Sequence, residues 1–133
     1  MYAVNYLGFT MEHNMSEDIT LLQIRERLLQ FNLDRNWGQY HNPRNLAMAL
    51  TVEAGELLEL FLWSKDEGPQ PPVLGRERQM EDEAADVLIC LLNFCQQAGI
   101  DLLKVTDRKI TENAKKYPIA KSKGRLEKHS ELD

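Results

Sequence analysis

Carboxylate side chains interrupt two stretches of the chain that otherwise have the composition of buried helix. In ALTVEAGELLELFLW (residues 49–63), Glu53 and Glu56 stand three positions apart among Ala, Leu, Val and Phe. A second apolar stretch carries Glu83 and Asp86 at the same spacing. Residues at i and i+3 project from one face of a helix, so each stretch presents a two-pronged carboxylate surface.

Four carboxylates brought together in apolar surroundings need a compensating charge, because burying unpaired anions costs on the order of several kcal/mol. Neither stretch supplies one, since residues 46–62 and 79–97 contain no Lys or Arg. Divalent cations are therefore favoured. Oxygen ligands without His or Cys predict Mg²⁺, or alternatively Mn²⁺, rather than zinc. Glu59 and Asp82 lie close enough in sequence to contribute at the edges of such a site.

Two other interpretations compete with a magnesium site. A di-iron site in a helical bundle needs a Glu-x-x-His on two helices, and the three histidines, His13, His41 and His129, lie outside both stretches. Acids three apart are also common on solvated helix faces. That alternative fits Asp86 least well, because its neighbours from 84 to 89 are all Ala, Val, Leu or Ile.

The hydrophobic periodicity predicts four helices and no convincing strand. Ser16 or Asp18 can cap the first helix, Asn42 and Pro43 mark the start of the second, and Gly99 ends the third. The expected ranges are 16–33, 43–63, 76–98 and 101–117. A loop rich in proline and glycine joins the second and third helices, and its length allows them to pack antiparallel with their carboxylates facing each other.

The predicted domain organisation is one helical domain with two appendages. Residues 1–15 form an extension that lacks the features of a secretory signal, and Met15 would also make a plausible start. Residues 16–118 form the domain, and residues 119–133 form a polar tail expected to be mobile. The fold class is all-α, resembling a four-helix bundle. The third helix is apolar nearly all round from Ala84 to Cys95, and the second helix is similar. Both predict an oligomer, because a small monomer cannot cover them.

Composition argues against several classes of protein. With 16 Lys and Arg against 21 Asp and Glu, the net charge of −5 argues against a nucleic-acid surface. The apolar stretches are broken by carboxylates and amides, so neither is a convincing membrane span. Cys90 and Cys95 stand five apart on one predicted helix and point to different sides, which predicts reduced thiols and a cytoplasmic protein.

Both carboxylate pairs and their flanking blocks resemble the all-α nucleoside triphosphate pyrophosphohydrolases of the MazG superfamily. The pairs stand in TVEAGELLELF and DEAADVLI. RNWGQYHNPRNL, FLW and KITENAKKYP are similar to the dCTP pyrophosphatase branch of that family. The resemblance covers about residues 18–118.

The resemblance implies hydrolysis of a nucleoside triphosphate to the monophosphate and pyrophosphate with Mg²⁺, by a tetramer or dimer of identical chains. It implies that Glu53, Glu56, Glu83 and Asp86 are the catalytic metal ligands. It also implies that a second set of residues binds the substrate. Trp37, His41 and Trp63 would hold the base, and Asn45 would orient the site. The residues that would face the phosphates and sugar are Lys109, Asn113, Lys116 and Tyr117. Cys90 departs from the family pattern, which has an aromatic residue, usually Tyr, at this position.

Ordinary structural roles remain open for several of these residues. Trp63 fits a hydrophobic core, His41 a turn, and Asn45 the continuation of a helix cap. Lys116 fits a helix C-terminus, where a positive charge complements the helix dipole. Two alternatives to dCTP hydrolysis also stay open: the same chemistry on another base such as dUTP, and a helical binding or scaffold module without catalysis.

Overall fold

The computed structural model describes residues 5–6, 9–10, 19–62 and 75–131, and its helices confirm the all-α fold class. The main helices are α1 (Leu21–Asp34), α2 (Pro43–Glu59), α3 (Glu77–Gln97) and α4 (Leu102–Lys116). Single turns of 3-10 helix lie at Trp37–Gln39 and His129–Glu131, and a short helix α5 spans Ile119–Ser122.

One pair of very short strands accompanies the helices. Two-residue strands β1 (Asn5–Tyr6) and β2 (Phe9–Thr10) pair antiparallel in the N-terminal extension. Hydrophobic periodicity cannot reveal strands of two residues, because alternation needs at least about four positions to register.

Side-chain caps fix the starts of α1 and α2. Asn42 Oδ1 accepts a hydrogen bond from the backbone N–H of Asn45 at 2.9 Å, and Pro43 follows, as predicted for α2. The start of α1 is Thr20, which forms a capping box with Gln23, so the helix begins later than predicted. Ser16 and Asp18, the predicted caps, lie outside the described residues. Side-chain oxygens at these positions satisfy backbone donors that the helix leaves without partners.

The ends of α2 and α3 differ in how well the sequence marks them. Gly99 follows α3 with a φ of 66°, as predicted for a terminating glycine. By contrast, α2 stops at Glu59, and residues 60–62 form a turn although they are apolar. The predicted continuation as far as 62 is therefore wrong, and Trp63 lies outside the described residues.

The α2–α3 pair is the centre of the fold, and α1 packs against α3. The buried apolar residues in the described part of the chain are few: Leu46 on α2, and Leu92 and Cys95 on α3. Helix α4 turns away from α3 and contributes no buried residue. No single described helix is long and apolar enough to cross a membrane, and α3 and α4 reach that length and composition only together, as a pair bent by 104°.

Large apolar side chains of α1 and α2 remain exposed. Leu33 on α1 is 63% exposed, and Met48 and Leu58 on α2 are 52% and 66% exposed. An apolar surface spread over two helices is typical of an interface with another chain. Both cysteines are free thiols, with Cys95 buried and Cys90 half-buried, which agrees with the predicted absence of a disulfide.

The C-terminal segment, predicted as a polar tail, carries helical structure. Beyond Pro118 the chain forms α5, and the His129 ring then lies edge-on to the Tyr117 ring with 5.8 Å between their centroids. Tyr117, predicted to bind substrate, therefore also contacts the segment that follows it.

Candidate metal and nucleotide site

Three glutamates from two helices converge in the structure. One carboxylate oxygen each from Glu53, Glu56 and Glu83 lies within 4.8 Å of the other two. We call these residues the glutamate cluster. Glu53 and Glu56 share a face of α2 because they are three apart, and α3 brings Glu83 opposite them. The predicted meeting of carboxylates across an antiparallel helix pair therefore holds for these three residues.

The local electrostatics of the cluster are those of crowded anions. Burial, and then the charges of Glu56, Asp86 and Glu83, raise the pKa of Glu53 above the ordinary glutamate value. Burial, and then the charges of Glu56, Asp86 and Asp82, raise the pKa of Glu83 in the same direction. Both shifts mean that the folded chain, without a cation, disfavours the charged form of these side chains.

The donor set fits a divalent cation. Glu83 Oε2 is buried and has no hydrogen-bond partner among the described residues. A buried carboxylate oxygen without a partner is costly, and a hard cation held by several carboxylates removes that cost. The cluster contains oxygen ligands alone, which suits Mg²⁺ or Mn²⁺.

Asp86 lies beside the cluster without joining it. Its carboxylate is exposed and is not among the three mutually close groups, but its charge raises the pKa of Glu53, Glu83 and the Cys90 thiol. For Cys90, burial is the larger cause. The charge of Asp86 therefore acts on the cluster and on Cys90, while its role as a metal ligand stays a prediction.

An open depression adjoins the cluster and includes a basic residue that the sequence analysis missed. Its lining comprises Glu56, Glu59, Leu60, Arg76, Gln79 and Glu83. Arg76 and Gln79 precede Glu83 by seven and four positions, so helical spacing alone places all three on one face of α3. Asp82, predicted to help at the edge, instead lies 3.9 Å from the guanidinium of Arg78 in an exposed ion pair.

The residues predicted to hold the base form a small aromatic group. Trp37 is 42% exposed, and its ring lies edge-on to Phe31 and to His41 at centroid distances of 5.5 and 6.2 Å. The Asn45 side-chain amide donates to the carbonyl of Tyr40 at 3.1 Å, so Asn45 braces the turn before α2. Trp63, the other predicted base contact, lies outside the described residues.

The predicted phosphate-facing block lies on α4, apart from the cluster. Lys109, Asn113 and Lys116 are exposed, and Lys109 Nζ lies 3.7 Å from Glu112 on the same helix. Lys109 and Asn113 line one shallow surface of α4 to which no other described helix contributes. Within the described part of a single chain, the structure does not bring this block to the acids.

Comparison with known proteins gives relatives over most of the chain. Residues 48–132 match the model of the MazG-like family, which reaches beyond the predicted domain end at 118. The dCTP pyrophosphatase 1 of Bos taurus is 38% identical over 121 residues, covering 90% of this chain and 72% of the relative. The Homo sapiens protein of the same name is 37% identical over 121 residues, covering 90% and 71%.

The fold has a solved counterpart as well. The crystal structure of a pyrophosphatase from Archaeoglobus fulgidus superposes with a TM-score of 0.68 at 36% sequence identity, covering 80% of this chain and 99% of that one. The sequence resemblance is thus confirmed by both the family match and the structural match. The chain belongs to the MazG-like family.

Proposed function

We propose that this chain hydrolyses dCTP, or a modified dCTP, to the monophosphate and pyrophosphate, and so removes unwanted nucleotide from the deoxynucleotide pool. The predicted enzyme class, a nucleoside triphosphate pyrophosphohydrolase, is confirmed by relatives named dCTP pyrophosphatase and a structural neighbour named pyrophosphatase. The convergence of Glu53, Glu56 and Glu83 is the observation on which the proposal rests.

The glutamate cluster would hold Mg²⁺, with Mn²⁺ as a substitute, and Asp86 would complete the ligand set from its edge. A bound divalent cation supplies two things in phosphoryl chemistry: it screens the negative triphosphate, and it lowers the pKa of a water molecule. The support from the chain is the unpartnered Glu83 Oε2 and the raised pKa of Glu53 and Glu83, since both costs disappear when a cation binds.

Other side chains would bind and orient the nucleotide. Glu59 lines the depression beside Glu56 and Glu83 but lies outside the cluster, so its carboxylate is available to accept a proton. Arg76 lines the same depression, where its positive charge favours the leaving pyrophosphate. Trp37 offers an exposed ring face for stacking on a base, and His41 lies at its edge.

We propose that the working enzyme is a cytoplasmic assembly of identical chains, a tetramer or alternatively a dimer. The exposed apolar side chains of α1 and α2 provide surface for such contacts. Assembly would also allow Lys109 and Asn113 of one chain to approach the acids of another, since α4 projects away from its own cluster. No nucleic acid or membrane is part of the proposal.

A panel of deoxynucleoside and nucleoside triphosphates, assayed for pyrophosphate release with and without Mg²⁺, tests the proposal. Preferred hydrolysis of dCTP or a modified dCTP is the expected result. Preferred hydrolysis of dUTP would support the same pyrophosphohydrolase reaction but show that the substrate is dUTP rather than dCTP. Absence of magnesium-dependent hydrolysis on every triphosphate would contradict catalysis and favour a binding or scaffold module.

Replacing Trp37 by alanine is expected to raise KM for dCTP by about tenfold while kcat changes little. Stacking of a base on an aromatic side chain contributes about 1–3 kcal/mol, and an exposed ring adds little to the core. Steady-state kinetics on the purified variant would measure the effect. Tyr40, an exposed aromatic residue near the same turn, provides the matched control: Tyr40→Ala should leave KM nearly unchanged.

A further inference from the structure

Two buried carboxamides join α1 to α3. Asn32 and Asn93 are each 8% exposed, and they are the buried polar residues of the described chain. The Asn32 Nδ2 group donates a hydrogen bond to Asn93 Oδ1 at 2.8 Å, across 61 positions of sequence. We call this contact the asparagine bridge.

Stability alone does not account for a buried amide pair. A hydrogen bond inside a protein contributes little net stability, and two apolar groups of the same shape can stabilise the fold as well. What a directional bond adds is geometry, because it is satisfied in only one arrangement of the two helices. An apolar contact at the same place would tolerate small sliding movements of α1 along α3.

The two ends of the asparagine bridge belong to segments with different roles. Asn32 lies in the last turn of α1, next to Phe31, whose ring contacts Trp37. The guanidinium of Arg35 lies 3.6 Å from the centroid of the Phe31 ring, which fixes that ring further. The end of α1 and the turn that carries Trp37 and His41, which we call the aromatic turn, therefore form one connected unit.

On α3, Asn93 shares a face with Asp86. It follows Asp86 by seven positions, which is close to two full turns, so both project from the same side about 10 Å apart along the axis. Cys90 lies between them and is near enough to Glu53 and Asp86 for their charges to raise its pKa. One face of α3 therefore runs from Asp86, past Cys90, to the asparagine bridge.

A small cavity of about 110 Å³ lies where these two units meet. Both asparagines line it, together with Gly38 and His41 from the aromatic turn and Gln96 from α3. The asparagine bridge thus lies where the turn that carries the proposed base contacts meets α3, the helix that carries Glu83.

We propose that the asparagine bridge is a positioning device that sets the distance between the base-binding turn and the metal-binding acids. It controls nucleotide affinity and base discrimination without touching the substrate. The inference rests on the proposed function, because it needs the base to lie at Trp37 and His41 and the triphosphate at the acids.

Replacing either asparagine of the bridge by alanine should change KM for dCTP and leave kcat nearly unchanged. Asn32→Ala and Asn93→Ala are each expected to raise KM for dCTP by about five- to tenfold, the effect of roughly one lost hydrogen bond. In both variants kcat should stay within about twofold, and the kcat/KM ratio of dCTP to dUTP should fall. The double variant should be no worse than the worse single one, because both changes remove the same contact.

Two further variants distinguish positioning from mere packing. Cys95→Ala removes a buried side chain of α3 on the side away from the aromatic turn, so it should lower Tm and leave KM and the base ratio unchanged. The double variant Asn32→Leu with Asn93→Leu fills the contact between α1 and α3 with apolar groups. It should fold stably, yet its KM for dCTP should be raised above that of the parent chain, as in the alanine variants. If the alanine variants do not fold, the KM and base ratio of the double-leucine variant test the inference instead.

The outcomes are separable. If the asparagine variants lower Tm but keep the parent KM and base ratio, the bridge is only structural and the inference is overturned. A double-leucine variant with the parent KM and base ratio would overturn it as well. If the parent chain itself hydrolyses no triphosphate, the proposed function fails first, and the inference falls with it.

Discussion

Glu83→Gln is expected to lower kcat for dCTP by at least about 100-fold and, at the same time, to raise the Tm of the metal-free protein at neutral pH. The activity falls because a neutral amide is a poor magnesium ligand. The stability rises because the raised pKa of Glu83 shows that its charge is disfavoured in the folded chain. Steady-state kinetics and thermal unfolding in the presence of a chelator would measure the two effects.

The sign of the pH dependence follows from the same shift. A carboxyl group whose pKa is raised by folding destabilises the protein where it is charged in both states, and the penalty fades as it protonates. The Tm advantage of Glu83→Gln should therefore be largest at neutral pH and shrink as the pH falls toward the ordinary glutamate pKa of 4.5. Glu81→Gln, an exposed acid on the same helix, is the matched control. A variant with lower Tm at neutral pH would contradict the electrostatic account of the cluster.

Asp86→Asn is expected to abolish turnover, with a loss of at least about 100-fold in kcat, while the helical circular dichroism spectrum is retained. Asp86 is exposed and supports no described hydrogen bond, so the fold does not depend on it. Its charge nevertheless raises the pKa of Glu53 and Glu83, and the expected loss follows if Asp86 is, as predicted, a further ligand of the bound cation.

Asp82→Asn is the appropriate comparison for Asp86→Asn. Asp82 also lies on α3 and also raises the pKa of Glu83, but it forms an ion pair with Arg78. Asp82→Asn should lose little activity, because the Asp82 carboxylate pairs with Arg78 and lies outside the cluster. The protein should also lose little stability, because an exposed ion pair contributes about 0–1 kcal/mol to folding. Equal activity losses in the two variants would indicate a general charge effect, and retained activity in Asp86→Asn would show that Asp86 is not a ligand.

Local sequence signals predicted the elements that carry the site. Asn42 with Pro43 and Gly99 each determine backbone geometry directly, so the start of α2 and the end of α3 could be located from sequence. The meeting of Glu53 and Glu56 with Glu83 followed from helical spacing and one connecting loop. These inferences needed only contacts between neighbouring helices.

Features that depend on distant contacts could not be predicted in this way. The asparagine bridge needs the register of α1 against α3, which no periodicity within either helix specifies. The end of α2 at Glu59 was missed because residues 60–62 are apolar and contain no helix breaker. Arg76 was assigned only to a helix start, although its spacing from Glu83 already placed both on one face.

The exposed apolar side chains of α1 and α2 connect the fold to the proposed assembly. The sequence predicted an oligomer from the apolar character of α3 and of α2, which one small chain cannot cover. In the structure, Leu92 and Cys95 of α3 are buried, while Leu33, Met48 and Leu58 on the other two helices remain exposed. The surface proposed for assembly therefore includes α1, which the sequence did not indicate, as well as α2.

Titration of the metal-free protein with Mn²⁺, followed by electron paramagnetic resonance with and without dCTP, tests the central claim most directly. The parent chain should take up the ion, and Mg²⁺ should displace it. A variant carrying both Glu53→Gln and Glu56→Gln should bind neither ion while keeping its helices. If the folded parent binds no ion under either condition, or if the variant binds as well as the parent, these glutamates are not a metal site.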